Sequence, residues 1–258
     1  MTWRRSLLAA LALAAFAAAA SPSAASATDH CAAPAEFSTA GGALPAVAAA
    51  VRHRNELRVL VIGTGSSTVG GTSGPTATYP MRLEKDLAAL FPGTTVTVQT
   101  RGGRGLTAAD MLPMVTEGLA EFRPDLVVWQ SGTVDAVRGL DPDGYGLTIG
   151  AGVERMLKQR ADVVLMDMQF SRFSRATVNY GPYRHALDTV AGANAGVIAF
   201  QRYDLMRFWA AAGQIDIERA PRAEWQAQAD LLHACVSRVL AEVIRDGARQ
   251  AARAEAGR

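Results

Sequence analysis

Only two cysteines, Cys31 and Cys235, occur in the 258 residues. So few exclude a disulfide-dense scaffold. Asp29, His30 and Cys31 offer ligand atoms, but no second cluster completes a site, so no metal is expected. The apolar run from Leu7 to Ala20 is about 14 residues, short of the roughly 20 that cross a bilayer. Net charge is also nearly absent, formally +2 over the whole chain. That leaves no electrostatic footprint for nucleic acid, and none is expected as a partner. Gly63-Thr64-Gly65 is not followed by Gly-Lys-Ser/Thr, and the dinucleotide fingerprint lacks its third glycine. No cofactor is therefore expected. The sequence has no internal repeat.

What is present begins with Met1-Thr2-Trp3-Arg4-Arg5, the apolar run, and then Ala25-Ser26-Ala27. A positive start, a short apolar core and a small-residue exit describe a signal peptide over residues 1–27. An exported protein is expected, periplasmic or secreted, with no stable membrane anchor after cleavage; a retained anchor is the alternative. Cleavage removes Arg4 and Arg5 and no acid, which leaves 24 basic against 24 acidic residues. Export makes a Cys31–Cys235 disulfide plausible, against two unpaired buried thiols. Residues 28–56 read as an N-terminal arm, 57–247 as one domain and 248–258 as a frayed tail.

Within 57–247, continuous apolar runs mark strands at Arg58–Ile62, Thr95–Gln99, Asp125–Gln130, Asp162–Met166 and Gly196–Phe200. Runs without alternation are expected where both faces of a parallel sheet are covered. Helical spacing marks Tyr79–Phe91, Thr107–Glu121, Tyr145–Arg160, Pro182–Ala193, Tyr203–Ala212 and Ala223–Arg245. Strand and helix alternate about five times, which predicts a three-layer α/β/α sandwich with a five-stranded parallel sheet.

Ligands collect at the C-terminal strand ends of such a sheet. The first strand leads to Gly63-Thr64-Gly65-Ser66-Ser67-Thr68, a hydroxyl on a glycine-rich turn. The second leads to Thr100-Arg101-Gly102-Gly103-Arg104-Gly105, the third to Ser131-Gly132-Thr133-Val134-Asp135, and the fourth to Asp167-Met168-Gln169. Far downstream, Asp230-Leu231-Leu232-His233 offers an acid and an imidazole three positions apart. Such a pair supplies a base and the group that orients it, which suggests serine nucleophile chemistry. Ser66 as an ordinary small-residue turn and His233 as a plain amphipathic-helix residue are the bland readings.

These residues resemble the SGNH hydrolases, also called GDSL-type esterases and lipases, over roughly Leu57 to Leu240. Ser66-Ser67-Thr68-Val69-Gly70 matches the second half of the family's Gly-Asp-Ser-x-Thr-x-Gly block, with Thr64-Gly65 where Gly-Asp usually stands. Thr100-Arg101-Gly102 matches Asn-x-Gly without its Asn, and Asp230 with His233 matches Asp-x-x-His fully. The resemblance implies a flavodoxin-like sandwich and an exported serine esterase acting through an acyl-enzyme on Ser66. His233 would then be the base, Asp230 its orienter, and the amides of Ser66 and Gly102 the oxyanion hole. Small-molecule or glycan esters, O-acetyl groups among them, are the implied substrates. The absence of an extended apolar lid disfavours a long-chain lipase. Gly132-Thr133-Val134-Asp135 departs from the family's Gly-x-Asn-Asp: valine has no donor for the oxyanion, and loss of one donor costs roughly 10²–10³ in turnover. Either the two backbone amides suffice for a reactive ester, or Gln130, Thr133 or Gln169 substitutes at the substrate. The alternative is a catalytically weak ligand-binding protein that keeps the fold. The oligomeric state is not legible.

Overall fold

Two runs of valine, leucine and isoleucine, Val59–Ile62 and Val163–Leu165, are wholly removed from solvent and lie near the centre of the sheet. In the computed structural model, residues 29–68 and 71–257 are described. The expected signal peptide and the Val69-Gly70 end of the serine block lie outside them. The strands are β1 (Glu56–Gly63), β2 (Thr95–Gly102), β3 (Leu126–Gln130), β4 (Asp162–Met166) and β5 (Val197–Phe200). All pair in parallel in the order β2-β1-β3-β4-β5. The chain steps from β1 to β2 on one side and then crosses back to β3 on the other. That reversal opens a crevice between the C-terminal ends of β1 and β3.

Ten α-helices are described: α1 (Pro45–Ala49), α2 (Gly65–Thr68), α3 (Tyr79–Leu90), α4 (Ala108–Phe122), α5 (Thr133–Val137), α6 (Pro142–Lys158), α7 (Arg172–Arg175), α8 (Gly181–Ala193), α9 (Arg202–Ala211) and α10 (Trp225–Ala256). α1 and α3 pack on α10, while α6 packs between α4 and α8, so helices cover both faces of the sheet. The flavodoxin-like sandwich is therefore the observed fold. Among the described residues no helix is long and apolar enough to cross a membrane.

Local chemistry accounts for the helix starts. Thr107 and Asp110 form a reciprocal capping box at α4. Asp141 caps α6 through Gly144 N–H at 2.8 Å, with Pro142 in the first turn. α6 thus begins at Pro142 rather than at the expected Tyr145, because Asp-Pro opens the helix instead of preceding it.

One expectation about the ends is corrected. Residues 248–258 are not a frayed tail: α10 continues to Ala256, and Ala248 and Ala251 are buried on the same face as Ile244. The 28–56 arm packs against the domain. Leu44, Val47, Ala48 and Ala50 are buried, Leu44 N–H donates to Gly247 O at 3.0 Å, and Val47 N–H donates to the Asp162 carboxylate at 2.9 Å. Cys31 and Cys235 are disulfide-bonded, with Cα atoms 4.9 Å apart, which ties the arm to α10. The bonded Cys31 has no thiolate to offer a metal.

Candidate active site

Ser66 leaves β1 on the first turn of α2, half-buried at the crevice. The turn closes on itself: Ser67 Oγ donates to Thr64 O at 2.7 Å and Thr68 Oγ1 donates to Gly65 O at 2.9 Å. Ser66 is left with its hydroxyl directed elsewhere. Two donors reach its oxygen, Gln130 Nε2 at 2.8 Å and an Arg202 Nη1 at 3.2 Å. A hydroxyl held by one amide and one guanidinium is in surroundings that favour negative charge on oxygen.

Gln130, expected at the substrate, lies beneath Ser66 instead. It is 1 % exposed, its Nε2 also donates to Thr64 Oγ1 at 3.1 Å, and its Oε1 accepts from Tyr79 Oη–H at 3.0 Å. Every polar atom of that amide is engaged, so Gln130 positions Ser66. Thr133 and Gln169 are half-buried and face each other, with Gln169 N–H donating to Thr133 Oγ1 at 3.4 Å. Gln169 also lines a cavity of about 180 Å³ with Phe170, Met206, Ile215 and Leu232. Val134 lies in the first turn of α5, half-buried, with no polar atom to aim at the crevice.

Gly102 ends β2 directly opposite Gly63 in the ladder. Its φ is +147°, and a Cβ there would stand 1.9 Å from Gly63 O. Glycine is thus required by the close approach of two backbones at the mouth of the sheet, apart from any part in binding an oxyanion.

Asp230 and His233 share one turn of α10 yet do not hydrogen-bond to each other. His233 Nδ1 accepts from Tyr79 N–H at 2.9 Å, which puts the ring proton on Nε2. Asp230 Oδ1 accepts from Ser73 N–H at 2.9 Å. Burial, reinforced by the Arg202 and Arg82 charges, pushes His233 down to about 4, with Asp230 opposing. Burial raises the Asp230 carboxyl, but the Ser73 bonds and Arg82 outweigh it and hold the group below its ordinary range. Ser66 and His233 are therefore linked only indirectly, through Tyr79 and Gln130 on one route and through the Arg202 charge on the other. A triad of direct bonds, as expected, is not formed in this conformation. Its physical cause is Tyr79, whose free amide at the start of α3 takes the imidazole lone pair.

Arg202 and Asp167 were not singled out from sequence as site residues. Arg202 follows β5 as the first residue of α9 and is 3 % exposed. Asp167 follows β4 and is 5 % exposed, accepting from Tyr203 N–H and Arg184 Nε, each at 2.8 Å. Burial pushes Asp167 up to about 6 despite these donors. The signal that would have found Arg202 is the one that found Ser66, its place at a C-terminal strand end.

Comparison with known proteins follows this geometry. No curated protein matches the chain. Among solved structures, a two-domain esterase active on acetylated mannans, co-crystallised with mannopentaose, superposes with a TM-score of 0.60 at 16 % identity, covering 81 % of this chain and 57 % of that one. Axe2, an acetylxylan esterase from Geobacillus stearothermophilus, gives 0.57 at 18 %, covering 73 % and 94 %. AlinE4, an SGNH-hydrolase family esterase, gives 0.51 at 19 %, covering 64 % and 86 %. At such identities the likeness is one of fold. The model of the non-GDSL lipase-like family matches residues 30–250, a description that suits Thr64-Gly65-Ser66 where Gly-Asp-Ser would stand. Because that match runs from the arm into the last turns of α10, the chain belongs to the non-GDSL lipase-like family.

Proposed function

We propose that the protein is an exported serine esterase that hydrolyses small or carbohydrate-linked esters, O-acetyl groups among them, through an acyl-enzyme on Ser66. One observation carries this reading: a half-exposed serine oxygen at the crevice of an SGNH-type sheet accepts from Gln130 Nε2 at 2.8 Å and Arg202 at 3.2 Å. Both donors stabilise negative charge on this oxygen as its proton leaves ahead of attack on a carbonyl carbon. Neighbouring folds include an acetylxylan esterase and an esterase active on acetylated mannans, which supports the O-acetyl class. His233 is the proposed base and Asp230 its orienter. Those roles need the imidazole to leave Tyr79 N–H and turn a bare nitrogen to Ser66, with Asp230 released from Ser73. The amides of Ser66 and Gly102 are the proposed backbone donors to the oxyanion.

A second reading, a catalytically weak ligand-binding protein, is favoured by the bond from Tyr79 N–H to His233 Nδ1 and by the valine at 134. A fluorophosphonate probe and a short-chain aryl ester separate the two. The esterase reading expects the probe on the Ser66 peptide, and loss of both labelling and turnover in Ser66→Ala. With His233 as base, the acid limb of turnover lies near pH 4, because the buried imidazole is held neutral down to about 4. Wild type that neither labels nor turns over, or that labels elsewhere, would refute the esterase.

A further inference from the structure

We propose that Arg202 is a catalytic residue of this site: its guanidinium lowers the proton affinity of the oxygen at position 66 and compensates the negative charge of the adduct built there. The inference rests on the reading of Ser66 as nucleophile, and it adds a charge acting on the serine oxygen, a different atom from the carbonyl oxygen that an Asn at 134 would serve.

Arg202 is 3 % exposed, and of its guanidinium only an Nη1 has a partner, the Ser66 oxygen at 3.2 Å. Nε and Nη2 are buried with no hydrogen-bond partner among the described residues. Burying a cation without a matched anion costs several kcal/mol, so a structural arginine would be paired. Asp167 is close enough for its field to favour the Arg202 charge, but its carboxylate is bonded to Arg184 and Tyr203 N–H. Its hydrogen bond runs from α9 to the reacting atom on α2.

Gln130 has spent both of its N–H groups, on Thr64 and Ser66. The charged and titratable groups facing Arg202 are Tyr79 from α3, Asp167 after β4 and His233 from α10; Arg82 also faces His233. Arg104 lies along Gly65. In the reaction the Ser66 hydroxyl gives up its proton to a base or to water. Its oxygen bonds to the carbonyl carbon, the carbonyl π pair moves to oxygen, and collapse expels the alkoxide, which takes a proton. Water then cleaves the acyl-enzyme and restores the serine. Arg202 faces the serine oxygen while its proton leaves; once the adduct forms, the negative charge lies on the former carbonyl oxygen, one carbon away.

The test reads the field at position 66 without requiring turnover. The thiol of Ser66→Cys is titrated by its rate of alkylation with iodoacetamide across pH, with Arg202 present and in combination with Arg202→Met or Arg202→Gln. With Arg202 the thiol is expected below the ordinary value of about 8.5. Either neutral substitution is expected to raise it by about one unit or more, a tenfold loss of thiolate near neutral pH, and Arg202→Lys to restore part of it. Two neutral variants keep the test standing if one fails to fold. An unchanged thiol pKa in both overturns the proposal. In the parent chain, Arg202→Met is expected to slow fluorophosphonate capture by about 10²–10³. Normal capture in that variant removes Arg202 and keeps the esterase. A shifted thiol with no capture by wild type removes the esterase and keeps Arg202's hold on the oxygen.

Discussion

A single added methyl at position 102 would stand 1.9 Å from the carbonyl oxygen of Gly63, on a backbone with φ of +147°. Neither partner has a flexible end to move, since both are main chain in the β1–β2 ladder. Gly102→Ala is expected to destabilise the fold by about 3 kcal/mol, combining overpacking with a disfavoured φ. Urea unfolding measures it, and an unchanged midpoint would show that the two backbones are not held together there. The same scale explains what was legible. Ser66 is announced by the glycines before it, and Gly102 by the glycine run that follows β2. The place of Arg202 just after β5 is legible in the sequence, but its burial is not, because an arginine at a helix start normally lies in water. Its burial is created by β5, α9 and the crevice together. The bond between Tyr79 N–H and His233 is equally silent, since every helix begins with free amides and nothing in sequence says which imidazole will take one.

The elements were legible wherever local pattern and tertiary burial agree. β4 was expected over Asp162–Met166 and is observed there. The short helices α2, α5 and α7 escaped notice because each has four or five residues, too few for a 3.6-residue period to show. Asp162 illustrates a role that crosses elements: at the N-terminal end of β4, far from Ser66, it accepts Val47 N–H in the first turn of α1. Burial pushes its carboxyl up to about 7, against the two α1 amides that hold it down. A group whose folded pKa is raised contributes stability that is full below its unfolded value near 4 and is lost as pH rises through the folded value. Asp162→Asn keeps an oxygen for Val47 and cannot ionise. It is expected to be more stable than wild type by about 2 kcal/mol at pH 8 and equal to it near pH 4. His233, lowered to about 4, has the opposite sign, with stability lost as pH falls from about 6.5 towards 4, and is common to both proteins. Urea midpoints at the two pH values decide it; an advantage equal at both would mean that Asp162 does not titrate with folding.

At the scale of the whole molecule, the Cys31–Cys235 bond closes a separation of 204 residues. In the chain-entropy account so long a loop is worth up to about 5 kcal/mol, by restricting the unfolded chain. The arm has other ties to α10. Ala40 N–H donates to Asp246 at 2.9 Å, Leu44 N–H donates to Gly247 O at 3.0 Å, and Arg238 pairs with Asp29 at 2.9 Å. These contacts do not involve sulfur, so the arm has ties to α10 besides the disulfide. The bond lies two residues beyond His233 in α10. A bridge of this kind persists in an oxidising compartment, which fits an exported protein. Cys31→Ser is expected to lower unfolding stability by about 2–5 kcal/mol while leaving the folded protein's fluorophosphonate capture at room temperature unchanged. Mass spectrometry of unreduced wild type supplies the companion measurement, a cross-linked peptide pair containing Cys31 and Cys235. Two free thiols would break the covalent tie, and a large loss of capture in the folded variant would mean that the bridge, rather than the packing of α10 on α1 and α3, holds the imidazole in place.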